Sequence, residues 1–372
     1  MDRGFDDGVL AQGTQLHGSC FTFVHERLGA RLCLFIVQRT VATRGGRRKE
    51  NSFFSPERML RVDELCCRVL VAARRRAAST TARQRARAGS AVESPGVPRY
   101  AGLFDVDANL THEAFKADWR EQVRHAASAG VSHALVPGSS LADSRRALTL
   151  AVESGSSEVQ MWTTAGVHPY NAAEVGGVDS AMSDLRALLG SSERIVALGE
   201  CGLDYSDGFP PAATQLVWFE RQLDLACELQ TPLFLHIRAA FPDARRLLEA
   251  RAAELPSVLV HCFDGDSEEL QWCLSSGFHI SVSGLLCKAE RGAPLRALLP
   301  QIPLDVLMVE TDAPYLGWKG CRVGHAKGAK KTFPNVPSAL PLVVDAVAAA
   351  MGRAGGDVAV ATAANARRFF GV

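Results

Sequence analysis

Long apolar runs are missing from this 372-residue chain. The nearest, residues 32–37, is short and lies between Arg31 and Arg39, so no segment reads as a membrane span. CxxC pairs are missing too, although the chain holds 10 cysteines. Their irregular spacing, with Cys66 and Cys67 adjacent, excludes a disulfide framework. Reduced thiols in an intracellular setting are expected, cytoplasmic or nuclear, with an organelle address as the alternative. There is no glycine-rich dinucleotide fingerprint, which argues against an open doubly wound sheet. An overall excess of one charge is lacking as well: 41 Lys and Arg face 40 Asp and Glu.

That balance hides an uneven distribution. Residues 1–100 hold 18 Lys and Arg against 9 Asp and Glu, so this third is about +9 and the remainder about −8. Much of the excess lies at Arg74, Arg75, Arg76, Arg83, Arg85 and Arg87, in a stretch of Ala, Ser and Thr without acid until Glu93. Such composition suits a disordered basic tail, a transit sequence or an arm that holds nucleic acid. Residues 94–98, Ser-Pro-Gly-Val-Pro, read as a linker. The expected organisation is a low-complexity, largely disordered basic extension over 1–99 and one folded domain over 100–372.

What is present from residue 100 onward is an alternation. Continuous hydrophobic runs, as strands buried on both faces require, are followed by segments with helical periodicity. Strands are expected at 101–110, 133–138, 159–168, 195–205, 232–238, 257–263, 279–285 and 305–314. The first helix is expected to start from Thr111. The fourth carries Leu216, Phe219, Leu223 and Ala226 on one face. Asp266 with Glu269 forms a capping pair for the sixth, and Gly277 ends it. Two more helices, around 339–351 and 358–370, close the chain. Eight strand–helix repeats predict an α/β fold, a closed (β/α)8 TIM barrel.

The strands share a second property. One runs through Gly199, Glu200 and Gly202; others end at His168, His236, His261 and the pair Glu310 and Asp312. A buried carboxylate is costly unless a cation or donors compensate it. In a barrel, catalytic groups sit at the carboxyl ends of the strands. Imidazole and carboxylate at one shared depth are what a divalent-metal hydrolase needs. Cys201 and Cys262 neighbour these residues, but hard-metal chemistry prefers oxygen and imidazole.

These pieces, in this order, resemble the TatD family of metal-dependent deoxyribonucleases, within the amidohydrolase-like barrels. The match runs over about 103–371. It rests on Ala165-Gly166-Val167-His168-Pro169, on 198–205, on His236-Ile237-Arg238, on His261-Cys262-Phe263-Asp264-Gly265 and on 310–315. The resemblance implies metal ligands at Glu200, His236, His261 and Asp312. It implies one or two divalent ions, Mg²⁺ first, with Mn²⁺ or Zn²⁺ as alternatives. It implies exonucleolytic hydrolysis of single-stranded DNA or RNA from the 3′ end. Many members begin with Asp-x-His-x-His; here the same place reads Asp105-Val106-Asp107-Ala108-Asn109. A subgroup of the family also lacks both histidines and ends in Asn. Asp107 offers oxygen to a hard cation or hydrogen-bonds its loop. The late motif Arg-Asn-Glu-Pro appears as Pro334-Asn335-Val336-Pro337, with Val336 in place of the acid.

Roles follow from the residue types. Glu200 bridges ions, and His236 and His261 ligate as neutral imidazoles. Asp312 ligates or accepts the proton of the attacking water. His168 holds a phosphate oxygen or protonates the leaving group. Arg238 is a phosphate fork or a rim salt bridge. Tyr205 stacks on a base or packs. Lys327, Lys330 and Lys331 steer nucleic acid or are a solvated charge run. Two other readings fit the same residues: an amide or ester hydrolase such as an aminoacyl-tRNA deacylase, and a non-catalytic nucleic-acid-binding barrel.

Overall fold

Apolar runs that alternate with amphipathic helices bury both faces of their sheet under helices, and a cylinder wrapped by its helices is one way to do so. The computed structural model of the chain has that form. It describes residues 12–16, 19–28, 31–39, 100–155, 158–173, 177–322 and 334–372. The chain divides into two compact units, Met1–Ser90 and Ala91–Val372.

In the first unit, β1 (Gln12–Leu16), β2 (Ser19–Leu28) and β3 (Arg31–Arg39) form an antiparallel sheet in that order. Phe23 pairs with Gln12 on one side and Ile36 on the other. These strands lie within the stretch expected to be a largely disordered basic extension, and they carry Phe, Val and Thr, which favour strands. The Arg74–Arg87 stretch and the 94–98 linker lie outside the described residues.

The second unit holds β4 (Leu103–Asp105), β5 (Val131–Val136), β6 (Gln160–Ala165), β7 (Ile195–Asp204), β8 (Leu233–Arg238), β9 (Val258–Val260), β10 (His279–Val282) and β11 (Leu307–Val309). They are parallel, each paired with its neighbours in chain order. Just beyond β4 and β11 the two edges meet. Val106 N–H donates to Val309 O, Asn109 N–H to Ala313 O and Asp312 N–H to Asp107 O. Ala108 and Ala313 form a parallel bridge. Asp105 reinforces this seam, its carboxylate accepting from the Thr311 amide at 2.8 Å and hydroxyl at 2.7 Å.

Outside run α1 (Trp119–Ser128), α2 (Leu141–Glu153), α3 (Val178–Leu189), α4 (Ala212–Leu229), α5 (Phe241–Glu249), α6 (Ser267–Ser275), the short α7 (Ala293–Leu298), α8 (Leu340–Met351) and α9 (Gly355–Phe370). The capping pair of α6 is present: Asp266 accepts from the Glu269 amide at 3.0 Å, and the Glu269 side chain accepts from the Asp266 amide at 3.1 Å. The first helix begins at Trp119, eight residues later than Thr111, because turns first tuck Phe115 into the core. No single described helix is long and apolar enough to cross a membrane.

Two apolar clusters hold the barrel. The larger fills the space between strands and helices. In the smaller, Phe104, Leu135, Phe234, Leu259 and Met308 pack against Ala363, Ala366, Phe369 and Phe370 of α9. Phe234 and Leu259 sit two residues before His236 and His261, so this apolar layer lies under the site. Asn365 ties α9 to the barrel: its buried amide donates to Leu304 O and Leu307 O, both at 2.7 Å. Asn365→Ala is expected to cost about 1–3 kcal/mol, since it leaves two carbonyls unpaired. Urea denaturation measures this, and a loss below about 0.5 kcal/mol would show that the bonds contribute little.

Candidate metal centre and active site

β7 sets the geometry. It continues past Glu200 to Asp204, farther than a strand ending at a catalytic carboxylate would. It does so because the register against β8 shifts between Leu198 and Cys201. Gly199 and Gly202 permit this, both with φ of +144°. A Cβ on Gly199 would sit 2.3 Å from Phe234 O, and one on Gly202 would sit 1.8 Å from His236 O. Beyond the shift, residues of one parity face inward. Glu200 and Asp204 therefore both point to the barrel axis, and on β8 His236 and Arg238 do the same.

The buried Glu200 Oε1 meets three imidazoles: His168 Nε2 at 3.2 Å, His236 Nδ1 at 3.1 Å and His261 Nε2 at 2.9 Å. Burial alone would raise the Glu200 pKa, but the imidazoles outweigh it and hold the carboxyl well below the usual range. The other ring nitrogens distinguish the three. His168 Nδ1 accepts from the Tyr170 amide at 3.2 Å, so its proton sits on Nε2 and is offered to Glu200. His236 Nε2 lies 3.0 Å from Asp204 Oδ2, and Asp204 is an ionised acceptor. Burial would raise the Asp204 pKa, but His236 and Ser206 bring it down to about 2. His236 therefore donates to Asp204 from Nε2 and to Glu200 from Nδ1; burial opposes its charge, but these two acceptors outweigh it and raise its pKa. His261 Nδ1 faces Asp107 Oδ2 at 3.2 Å and Glu310 Oε1 at 3.5 Å. Its Nε2 lies 2.9 Å from Glu200 Oε1 and 3.3 Å from His236 Nδ1.

Two imidazole nitrogens and a carboxylate oxygen thus converge, each imidazole has a carboxylate on its far side, and an ion binding there would displace the protons that the rings hold toward Glu200. Among the described residues, two groups have ligand atoms close enough to share an ion: His168, Glu200 and His236, and Asp107, Glu200 and His261. Asp107 Oδ2, His261 Nδ1 and Glu310 Oε1 are buried without hydrogen-bond geometry to any partner. Burial pushes the carboxyls of Asp107 and Asp312 well up, Glu310 adding to the push on Asp312. His261 is raised: burial opposes its charge, but Glu200 and the other carboxylates outweigh it. This enclosed surplus of acid can ionise fully only around an added cation, so the donors fit a divalent metal.

Asp312 belongs to neither group. It sits at the same mouth, its Oδ1 accepting from Asn109 Nδ2 at 3.2 Å, while Asn109 also donates to Asp107 at 2.9 Å. Its φ of +54° is left-handed, as is that of Cys262. The Cys262 sulfur is 3.7 Å from Asp312 Oδ2, but burial pushes its thiol far up and it is no thiolate. Cys201, Cys227, Cys262, Cys273 and Cys287 form no disulfide.

A cavity of about 820 Å³ opens over this cluster, lined by His168, Glu200, His236, Arg238, His261 and Asp312 together. Arg238 is partly exposed, with Nε 3.6 Å from Asp264. Tyr205 is not part of the lining; its hydroxyl donates to Asp243 at 2.9 Å. The parity that turns Asp204 inward turns Tyr205 outward. Lys327, Lys330 and Lys331 lie outside the described residues. Sequence reasoning gave Asp204 no role, although its spacing from Glu200 on one strand was the signal. It also passed over Lys288, Arg291, Tyr170 and Tyr315, which line the cavity from loops whose course only the fold sets.

The chain is similar in sequence to known proteins. The profile of the family described as TatD related DNase matches residues 104–371. A protein of Erwinia tasmaniensis named 3'-5' ssDNA/RNA exonuclease TatD is 39% identical over 268 residues, covering 72% of this chain and 99% of its own length. Its namesake from Yersinia pseudotuberculosis is 40% identical over 268 residues, with the same coverage. Among solved structures, the TatD homologue YJJV of Escherichia coli superposes with a TM-score of 0.65 at 24% identity, covering 73% of this chain and 99% of that one.

Proposed function

The chain belongs to the family of TatD-related DNases, and from that premise we propose that residues 100–372 are a metal-dependent exonuclease that removes nucleotides from the 3′ end of single-stranded DNA or RNA. The observation that carries this reading is the one Glu200 oxygen facing three imidazoles at the mouth of a barrel.

Glu200, His236 through Nδ1 and His261 through Nε2 would hold the ion, with Asp312 contributing from across the mouth. A bound Mg²⁺, for which Mn²⁺ or Zn²⁺ could substitute, polarises the phosphoryl group and lowers the pKa of a water. Asp204 keeps His236 oriented, and Asp107 with Glu310 does so for His261. His168 carries its proton on Nε2, pointing into the site, so it donates to a phosphate oxygen or the leaving alkoxide; such help is worth about 10²–10⁴-fold. Asp312 takes the proton of the attacking water. Arg238, Lys288 and Arg291 add positive potential for a polyanion at the rim.

The test is digestion of a 5′-labelled single-stranded oligonucleotide with Mg²⁺. A stepwise ladder from the 3′ end is expected, abolished by EDTA and by His236→Ala. Loss of all cleavage, with deacylation of a charged tRNA in its place, would overturn the nuclease reading.

A further inference from the structure

Tyr205 points away from the cavity, yet the mouth displays two other aromatic rings. Tyr170 is 56% exposed and Tyr315 51%. The remaining large hydrophobic side chains exposed among the described residues are Val152, Val217 and Val360, and none of them lines the cavity. A single exposed tyrosine needs no explanation. These two share one mouth, and each is braced by a second ring. Tyr170 meets Phe209 at 5.6 Å and 82°; Tyr315 meets His112 at 5.3 Å and 81°. A T-shaped contact fixes a ring's plane and leaves ring surface open to a further planar partner.

Their places in the barrel separate the two pairs. Tyr170 follows β6 and Phe209 follows β7, adjacent strands. Tyr315 follows β11 and His112 follows β4, which meet at the seam. One arc between the pairs belongs to β5, where α2 places Arg146 in the lining. The other belongs to β8, β9 and β10, with Arg238, Lys288 and Arg291. Aromatic and cationic sectors therefore alternate round a ring with the Glu200 cluster at its base.

We propose that Tyr170 with Phe209 and Tyr315 with His112 are two nucleobase-stacking subsites, which hold the bases on either side of the phosphate that passes over Glu200. The placement of the phosphate rests on the nuclease reading; the stacking does not. Stacking accepts every base, since each has a π-face, so these subsites confer no sequence preference. They do select against duplex ends, whose bases must first leave their own stack.

Binding of the full chain to a fluorescent oligothymidylate is measured by anisotropy in EDTA. It is compared with the same strand carrying abasic units at its two 3′-terminal positions. The ordinary strand is expected to bind more tightly by about tenfold for each stacked base. Tyr170→Ala and Tyr315→Ala should each lose about that factor on the ordinary strand and little on the abasic one, while Tyr→Phe at either site keeps it. Equal binding of both strands by the unaltered protein overturns the subsites. So do alanine variants that bind like the unaltered protein, or that lose the same factor on both strands. Tighter binding of the ordinary strand than of the abasic one in EDTA, without any hydrolysis in Mg²⁺, upholds the subsites and removes the nuclease reading instead.

Discussion

Glu200→Gln is expected to leave a folded barrel that neither binds a divalent ion nor cleaves nucleic acid. The amide keeps the shape of the carboxyl but carries no charge, and its neighbours are nitrogens of His168, His236 and His261. Buried imidazoles that lose their counter-charge can shed their protons, so the fold does not collapse. What disappears is the anion shared by all three rings. Removing the hydrogen-bond partner of a metal-ligating histidine costs about 10–100-fold in affinity or activity. Asp204→Asn, which weakens only the support of His236, should fall in that range. Glu200→Gln removes a ligand itself and should exceed it. Calorimetric titration with Mn²⁺ and the end-labelled digestion together measure both. Retained Mn²⁺ affinity in Glu200→Gln would mean that the ion is held elsewhere.

Gly202→Ala is the second large effect, and it acts through the backbone. The added methyl would lie 1.8 Å from His236 O at a φ that alanine rarely adopts. Because Gly202 pairs with His236, relief must come from moving β8 or breaking the pairing. Strain of this kind with overpacking costs about 3 kcal/mol or more. That corresponds to a melting temperature lower by about 6–12 °C. The Mn²⁺ affinity should fall too, since the displaced segment carries a ligand. Gly356→Ala serves as control, because a Cβ there meets nothing within 4 Å. A Gly202→Ala protein that melts with the unaltered one would show that the strand shift is not held by this close approach.

The barrel was legible because its strands are hydrophobic throughout and each is followed by a helical pattern. The convergence of His168, Glu200, His236 and His261 was legible for a related reason: each falls at the same point of its repeat, and equivalent points of a barrel meet. The direction of single side chains was less so. Tyr205 looked like a substrate contact until the register shift in β7 fixed its parity outward. The same shift brought Asp204 inward behind His236, and no local pattern announces a bulge that depends on the neighbouring strand. Tyr170 and Tyr315 sit on loops without periodicity.

The seam between β4 and β11 has a consequence for the life of the chain before it is complete. Asp107 and Asn109 stand on one lip of that seam and Asp312 on the other, about two hundred residues later in sequence. Sealing the cylinder and completing the acidic half of the site are the same event. A half-folded copy with the two lips apart would lack Asp312 beside Asp107 and Asn109, so the site is expected to be incomplete until the two ends of the sheet are sewn together.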